Sequence, residues 1–198
     1  MQPQLYLASS SPRRCELLAQ LGVRFEVVAQ SVPEERLPHE SPEAFAQRLA
    51  VEKARAGQAL LSADINLPVL GADTIVVVDD DILGKPKDKA DALAMLAQLS
   101  GGSHRVLSAV AVVGRDDMGQ DKTMVRCSES RVRFRALRDG EAEAYWATGE
   151  PVDKAGAYGI QGLAAVFIEH LEGSYSGVMG LPLFEAGELL RAFGIEIF

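Results

Sequence analysis

Val69-Leu70-Gly71-Ala72-Asp73-Thr74-Ile75-Val76-Val77-Val78 is an almost continuous apolar, β-branched run. Such a run reads as a strand buried on both faces, the habit of an interior strand in a sheet covered by helices. Asp73 and Thr74 alone interrupt it. A carboxylate buried there without a partner would cost roughly several kcal/mol, whereas beside a cation or a metal it becomes a useful ion. Asp73 is therefore the first candidate site residue. A carboxylate on a rigid strand suits either a magnesium ligand or a base that activates water, and the sequence leaves both roles open beside a plain structural one.

Working outward toward the N-terminus, Leu5 to Ala8 is strand-like and Leu17, Leu18 and Leu21 are helix-like. Between them stands Ser9-Ser10-Ser11-Pro12-Arg13-Arg14. Pro12 fits the first position of a helix whose cap is Ser11, so three hydroxyls and the first free backbone N–H groups are expected to converge. Two arginines in a first helical turn face the positive end of the helix dipole, at a cost of roughly 0.3–1 kcal/mol per charge unless an anion sits there. A phosphate would supply it. Arg24 to Ala29 alternates like a second strand, and Gln30 to Glu40 reads as a polar loop. Glu34 and Glu35 lie in that loop; by themselves they read as solvent-facing, and near Asp73 one of them could share a divalent cation with it. Ser41 and Pro42 start a long helix with an expected buried stripe of Phe45, Leu49, Ala56 and Leu60, on which Lys53 falls.

Toward the C-terminus, Asp79-Asp80-Asp81 turns into Ile82-Leu83, and Gly84-Lys85-Pro86-Lys87 leads to a helix from about Ala90 to Leu99 that stops at Gly101-Gly102. Val106–Val113 and Thr123–Phe134 read as a strand pair, and 139–147 as a helix. A glycine-rich segment, Gly149–Gly162, follows. Short strands are expected around Val166 and Val178, then a last helix from Pro182 to Phe193. There is no repeat, linker or low-complexity tract, so residues 1–198 read as a single α/β domain around a mixed sheet. Arg13, Arg14, Lys53 and Lys85 each sit on or beside an element end or a turn, and gathered together they would offset a triphosphate. Lys87 reads as a solvated charge. Gln161, set between Ile160 and Gly162, offers an amide donor and acceptor suited to a base edge.

The 198 residues carry 20 basic and 28 acidic side chains, a net charge of −8. That balance argues against long nucleic acid or an anionic membrane as partner, while small anions need only local positive charge. Cys15 and Cys127 show neither metal nor redox spacing and read as reduced thiols of a cytoplasmic protein. No apolar stretch approaches ~18 residues, and the polar turn after Ala8 comes too early for a signal peptide. His39, His104 and His170 are scattered, which excludes an ordinary zinc pattern, and the serines lack a G-x-S-x-G elbow.

Taken in order, Ala8-Ser9-Ser10-Ser11-Pro12-Arg13-Arg14, Glu52-Lys53-Ala54, Gly71-Ala72-Asp73-Thr74, Gly84-Lys85-Pro86 and Lys154-Ala155-Gly156-Ala157-Tyr158-Gly159-Ile160-Gln161-Gly162 resemble the Maf family of nucleoside triphosphate pyrophosphatases. The last block, with Gly173-Ser174-Tyr175 and Val178-Met179-Gly180-Leu181-Pro182, looks like the branch acting on dTTP and UTP rather than on 7-methyl-GTP. The resemblance implies a two-lobed α/β fold around an elongated mixed sheet, a nucleotide cleft between the lobes, and usually a homodimer. It implies cleavage between the α- and β-phosphates with a divalent metal cation, Mg2+ or Mn2+. By the same resemblance Asp73 is the proton acceptor, Arg14, Thr74 and Gln161 bear on base preference, and Ser9, Arg13, Glu34, Lys53 and Lys85 contact phosphate and metal, with Glu34 and Asp73 as the metal pair. Pro33 stands where relatives often have an acid. Two other functions share these blocks: a nucleotide-binding regulator of cell division, and the same chemistry on a methylated purine nucleotide.

Overall fold

The structure, a computed structural model, describes residues 2–62, 64–116 and 118–197. The expected interior strand is β3, Val69–Val78, and it sits in the middle of a seven-stranded sheet. On one side it pairs antiparallel with β5, Ser103–Arg115, from Val69 through Val77. β5 in turn pairs along its whole length with β6, Asp121–Phe134, which pairs with β7, Ile168–Glu172. The other side of β3 is shared. β1, Leu5–Leu7, takes Val69 and Leu70 in parallel and carries β2, Phe25–Val27, on its far edge. β4, Asp81–Leu83, takes Val76, Val77 and Val78 as a hairpin. Among the described residues no strand pairs with that edge from Gly71 to Ile75. The sheet thus has a gap at its centre, and Asp73 and Thr74 flank it.

Period-two alternation sends β3 side chains to two different cores. Ile75 and Val77, with Leu107, Ala109 and Ala111 of β5, pack under helix α2, Pro42–Ala59. Leu70 and Ala72, with Val110 and Val112, face the other way, onto α1, Pro12–Gln20, and α6, Leu183–Ala192. Further along that second face Val76 and Val106 join a separate core with α3, Lys89–Leu99, and α4, Glu141–Ala147. These two cores on one face are the two lobes, and the gap lies between them.

Local chemistry accounts for most starts and stops. Ser41 Oγ accepts from Ala44 N at 3.1 Å and Pro42 opens α2, as expected; Asp88 caps α3 through Asp91 N at 2.9 Å. The buried stripe of α2 differs from expectation. It runs through Phe45, Ala46, Leu49, Ala50, Lys53, Ala54 and Gly57, while Ala56 is only partly buried and Leu60, beyond the last turn, is exposed. Small residues replace large ones because α2 presses on the strand: a Cβ on Gly71 would overlap the backbone of Ala50 and Ala54. Two expected strands are corrected. Leu163–Phe167 is a 3-10 turn that feeds β7, and Val178 lies in a five-residue helix, α5, Tyr175–Met179, capped by Ser174 Oγ on Gly177 N at 3.0 Å. Among the described residues no helix is long and apolar enough to cross a membrane.

Candidate active site

A cleft of about 800 Å³ opens at the gap in the sheet. Its lining includes all nine residues singled out from sequence: Ser9, Arg13, Arg14, Glu34, Lys53, Asp73, Thr74, Lys85 and Gln161. They come from both lobes and from separate loops, so the fold alone gathers them.

The floor on the α2 side is ionic. Lys53 Nζ lies 2.6 Å from Asp73 Oδ1 and 2.5 Å from Glu34 Oε1, so one ammonium bridges two carboxylates. Lys53 and Asp73 are 7% and 5% exposed, which makes each the main compensation for burying the other. Half-burial pushes the Glu34 carboxyl upward, but the ion pair with Lys53, helped by Lys85 and Arg14, carries it below its ordinary range. Asp73 Oδ2 is buried with no hydrogen-bond partner. A buried bare acceptor beside a second carboxylate is what a hard divalent cation takes, with further oxygens from phosphates and water. Among the described residues no group of three acidic, histidine or cysteine side chains is assembled to hold a metal. The donor set therefore fits Mg2+ or Mn2+ shared with a phosphate ligand better than a dedicated protein cage.

The α1 wall is cationic. Ser11 is extended and Pro12 opens the helix, yet the Ser11 hydroxyl makes no cap bond, and no acidic residue lies in the first turn. Ser9 Oγ instead accepts from Ser11 N at 3.2 Å. The expected Ser11 cap bond is thus missing, while Ser9, Ser10 and Ser11 line the cleft together beside a helix start with no acid in its first turn. Arg14 Nε donates to Gly180 O at 2.8 Å, which ties α1 to the chain just after α5. Burial lowers the pKa of this guanidinium, against the pull of Asp73 and Glu34, and Arg13 adds to the lowering. Arg13 reaches across the cleft to Asp153 at 3.2 Å. Lys85 is exposed at the rim, and Lys87 is exposed away from the cleft, as its solvated reading anticipates.

The glycine-rich wall hangs from Glu150. Its carboxylate accepts from Tyr145 Oη at 2.7 Å and Leu163 N at 2.8 Å, and Tyr145 Oη accepts from Gly159 N at 3.2 Å. A Cβ on Gly162 would overlap the Glu150 carboxylate, so the close approach needs glycine. Gln161, at the exposed rim, is presented by this anchored segment. Sequence reading missed Glu150, and the signal for it is weak: an acid just before a proline in a glycine-rich stretch. It also missed Ser108, whose signal is sharper, a lone hydroxyl inside the apolar run of β5. Ser108 is 1% exposed, pairs with Thr74 in register, and has its Oγ 3.0 Å from Thr74 Oγ1.

The family model described as Maf-like protein matches residues 4–193. A dTTP/UTP pyrophosphatase of Alkalilimnicola ehrlichii is 55% identical over 98% of this chain and 95% of its own length. One of Saccharophagus degradans is 51% identical over 98% of this chain and 90% of its own. Among solved structures, a nucleoside-triphosphatase / dITP/XTP pyrophosphatase from Mycobacterium abscessus aligns over 96% of this chain and 93% of that one, with TM-score 0.49 and 18% identity.

Proposed function

The chain belongs to the Maf-like protein family, and from that premise we propose that it hydrolyses dTTP and UTP to the nucleoside monophosphate and pyrophosphate. The observation that carries the reading is the buried Lys53–Asp73 pair, with the half-exposed Glu34 on the same ammonium, opening on a cleft whose facing wall is a helix start with two arginines and no acid in its first turn. Phosphoryl transfer relies mainly on positioning and electrostatics, and this cleft supplies both.

In the proposed reaction water attacks the α-phosphorus, the bond to the bridging oxygen breaks, and pyrophosphate leaves with that oxygen. Asp73 orients or deprotonates the attacking water, while Lys53 holds its Oδ1 and keeps the carboxylate aimed. Arg13, Lys85 and the Ser9 hydroxyl receive the phosphates, and Lys53 offsets charge on the departing group. Glu34 and Asp73 would hold a divalent cation, which when bound neutralises phosphate charge and polarises the phosphoryl oxygens. Arg14, Thr74 and Gln161 set base preference. In the same reading the protein works in the cytoplasm and as a homodimer, the state that light scattering would report.

The test is pyrophosphate release from dTTP, UTP, CTP and 7-methyl-GTP, each with Mg2+ and with EDTA. Release from dTTP and UTP that EDTA abolishes and Mg2+ restores is the expected result. Nucleotide binding without release from any of the four overturns the enzyme reading and leaves a binding protein.

A further inference from the structure

Thr74 and Asp73 flank the same gap but face opposite sides of the sheet, and the groups that Thr74 is linked to, the Ser108 hydroxyl and beyond it the Gly177 carbonyl, are neutral. Ser108 Oγ donates to Gly177 O at 2.5 Å and lies 3.0 Å from Thr74 Oγ1. A carbonyl only accepts, and a serine hydroxyl has one proton. With that proton committed to Gly177 O, Ser108 can only accept from Thr74. The single proton of Thr74 then points into the protein, and Thr74 Oγ1 has only lone pairs left for the cleft it lines.

The direction of this relay is held in place. Gly177 belongs to α5, whose capping residue Ser174 is pinned to β6 by Ser130 Oγ, accepting from Ser174 N at 2.9 Å and donating to Ser174 O at 3.3 Å. Just beyond α5, Gly180 O is held by Arg14 Nε. With the segment fastened on both sides, the Gly177 carbonyl cannot turn away and let the relay reverse.

We propose that Ser108 is a specificity-determining residue that acts through Thr74, fixing it as a hydrogen-bond acceptor toward the base so that the cleft selects pyrimidines carrying an N3–H donor. This rests on the dTTP and UTP reading above. Uracil and thymine both carry that imide N–H, whereas cytosine presents a bare N3 acceptor at the same position. Gln161 cannot enforce the choice, because its amide offers donor and acceptor alike and can turn over. Thr74 cannot adapt while Ser108 holds its proton.

The experiment is the ratio of kcat/KM for UTP to that for CTP in the unaltered protein, Ser108→Ala, Thr74→Val and the double variant. Ser108→Ala frees the Thr74 proton to face the base, so the ratio should fall roughly tenfold, the scale of one mismatched hydrogen bond. In the Thr74→Val background, where no relay exists, the same change should leave the ratio as it is. Ser108→Cys fills the same space while accepting hydrogen bonds poorly, and should reproduce the fall even if the alanine variant folds badly. An unchanged ratio in Ser108→Cys, or an equal fall with and without the Thr74 hydroxyl, overturns the proposal. Failure of the parent reading shows elsewhere, as no pyrophosphate from UTP or dTTP with the unaltered protein, and it overturns this proposal as well.

Discussion

Asp73 and Thr74 are chain neighbours on the same strand, yet their two faces of the sheet are built from different chemistry. On the α2 face a carboxylate, an ammonium and a second carboxylate are packed into a mostly buried cluster. On the α5 face two hydroxyls and a carbonyl form a neutral relay. Burying charge is costly unless it is paired, so the ionic face keeps its geometry only while all partners are present. The neutral face stakes less energy and carries direction instead. Reactivity belongs with the first kind of construction and discrimination with the second.

The sharpest way to break this contrast is on the ionic face. Asp73→Asn keeps the shape of the side chain but removes the proton acceptor, and kcat should fall by about 10²–10⁴-fold; the denaturation midpoint should fall too, because the buried Lys53 ammonium then keeps only Glu34 as its counter-charge. Lys53→Met strikes the fold as well, because it strips Asp73 of its buried cation; urea unfolding should show a loss of about 3–5 kcal/mol. If the methionine variant were as stable as the parent, the cluster would not be the mutually dependent unit described here.

A third buried polar group sharpens the comparison by having no charge to pair with. His104, 3% exposed, bonds Tyr158 Oη through Nε2 at 2.8 Å and leaves Nδ1 without a partner. Burial lowers its pKa from 6.5 to about 4. The unfolded chain therefore binds this proton near pH 6.5 and the native one only near pH 4. Stability is whole above pH 6.5 and falls as the pH drops through that window, by about 3 kcal/mol in all. Unfolding free energies between pH 7 and 4 should show that slope, and His104→Leu should lack it. The smallest effect belongs to the Arg13–Asp153 pair. Asp153 keeps 61% of its side chain exposed, so Asp153→Ala should change the unfolding free energy by less than about 1 kcal/mol.

Much of this was legible in the residues themselves. The β3 run, the Ser41-Pro42 start of α2 and the basic turn after β1 each follow from local chemistry, which single stretches of chain encode. Asp73 stood out because a charge on an apolar strand demands a partner, Lys53 because it joins the other cations, and the structure makes the two each other's partner. What local pattern could not reveal was set by tertiary packing. Val178 sits in a sequence that suits a strand, but Ser108 and Ser130 clamp the segment from outside and Ser174 caps it into a helical turn. Leu60 carried the expected stripe forward, yet the close seating of α2 on Gly71 selects alanines and a glycine instead. That Lys53 would bridge Glu34 as well depends on how the 30–40 loop folds back, and no periodicity records it.

The gap in the sheet interrupts only one edge of β3, whereas β5 and β6 run past it unbroken as strands of 13 and 14 residues. Mechanically the protein is therefore a stiff ribbon with two bodies mounted along it. Spreading the bodies apart would mean bending that ribbon against its full ladder of hydrogen bonds. Ligand traffic then falls to the segments that span the opening without belonging to the ladder, the 30–40 loop and the glycine-rich wall, and turnover should respond more to changes in their suppleness than to changes in either core.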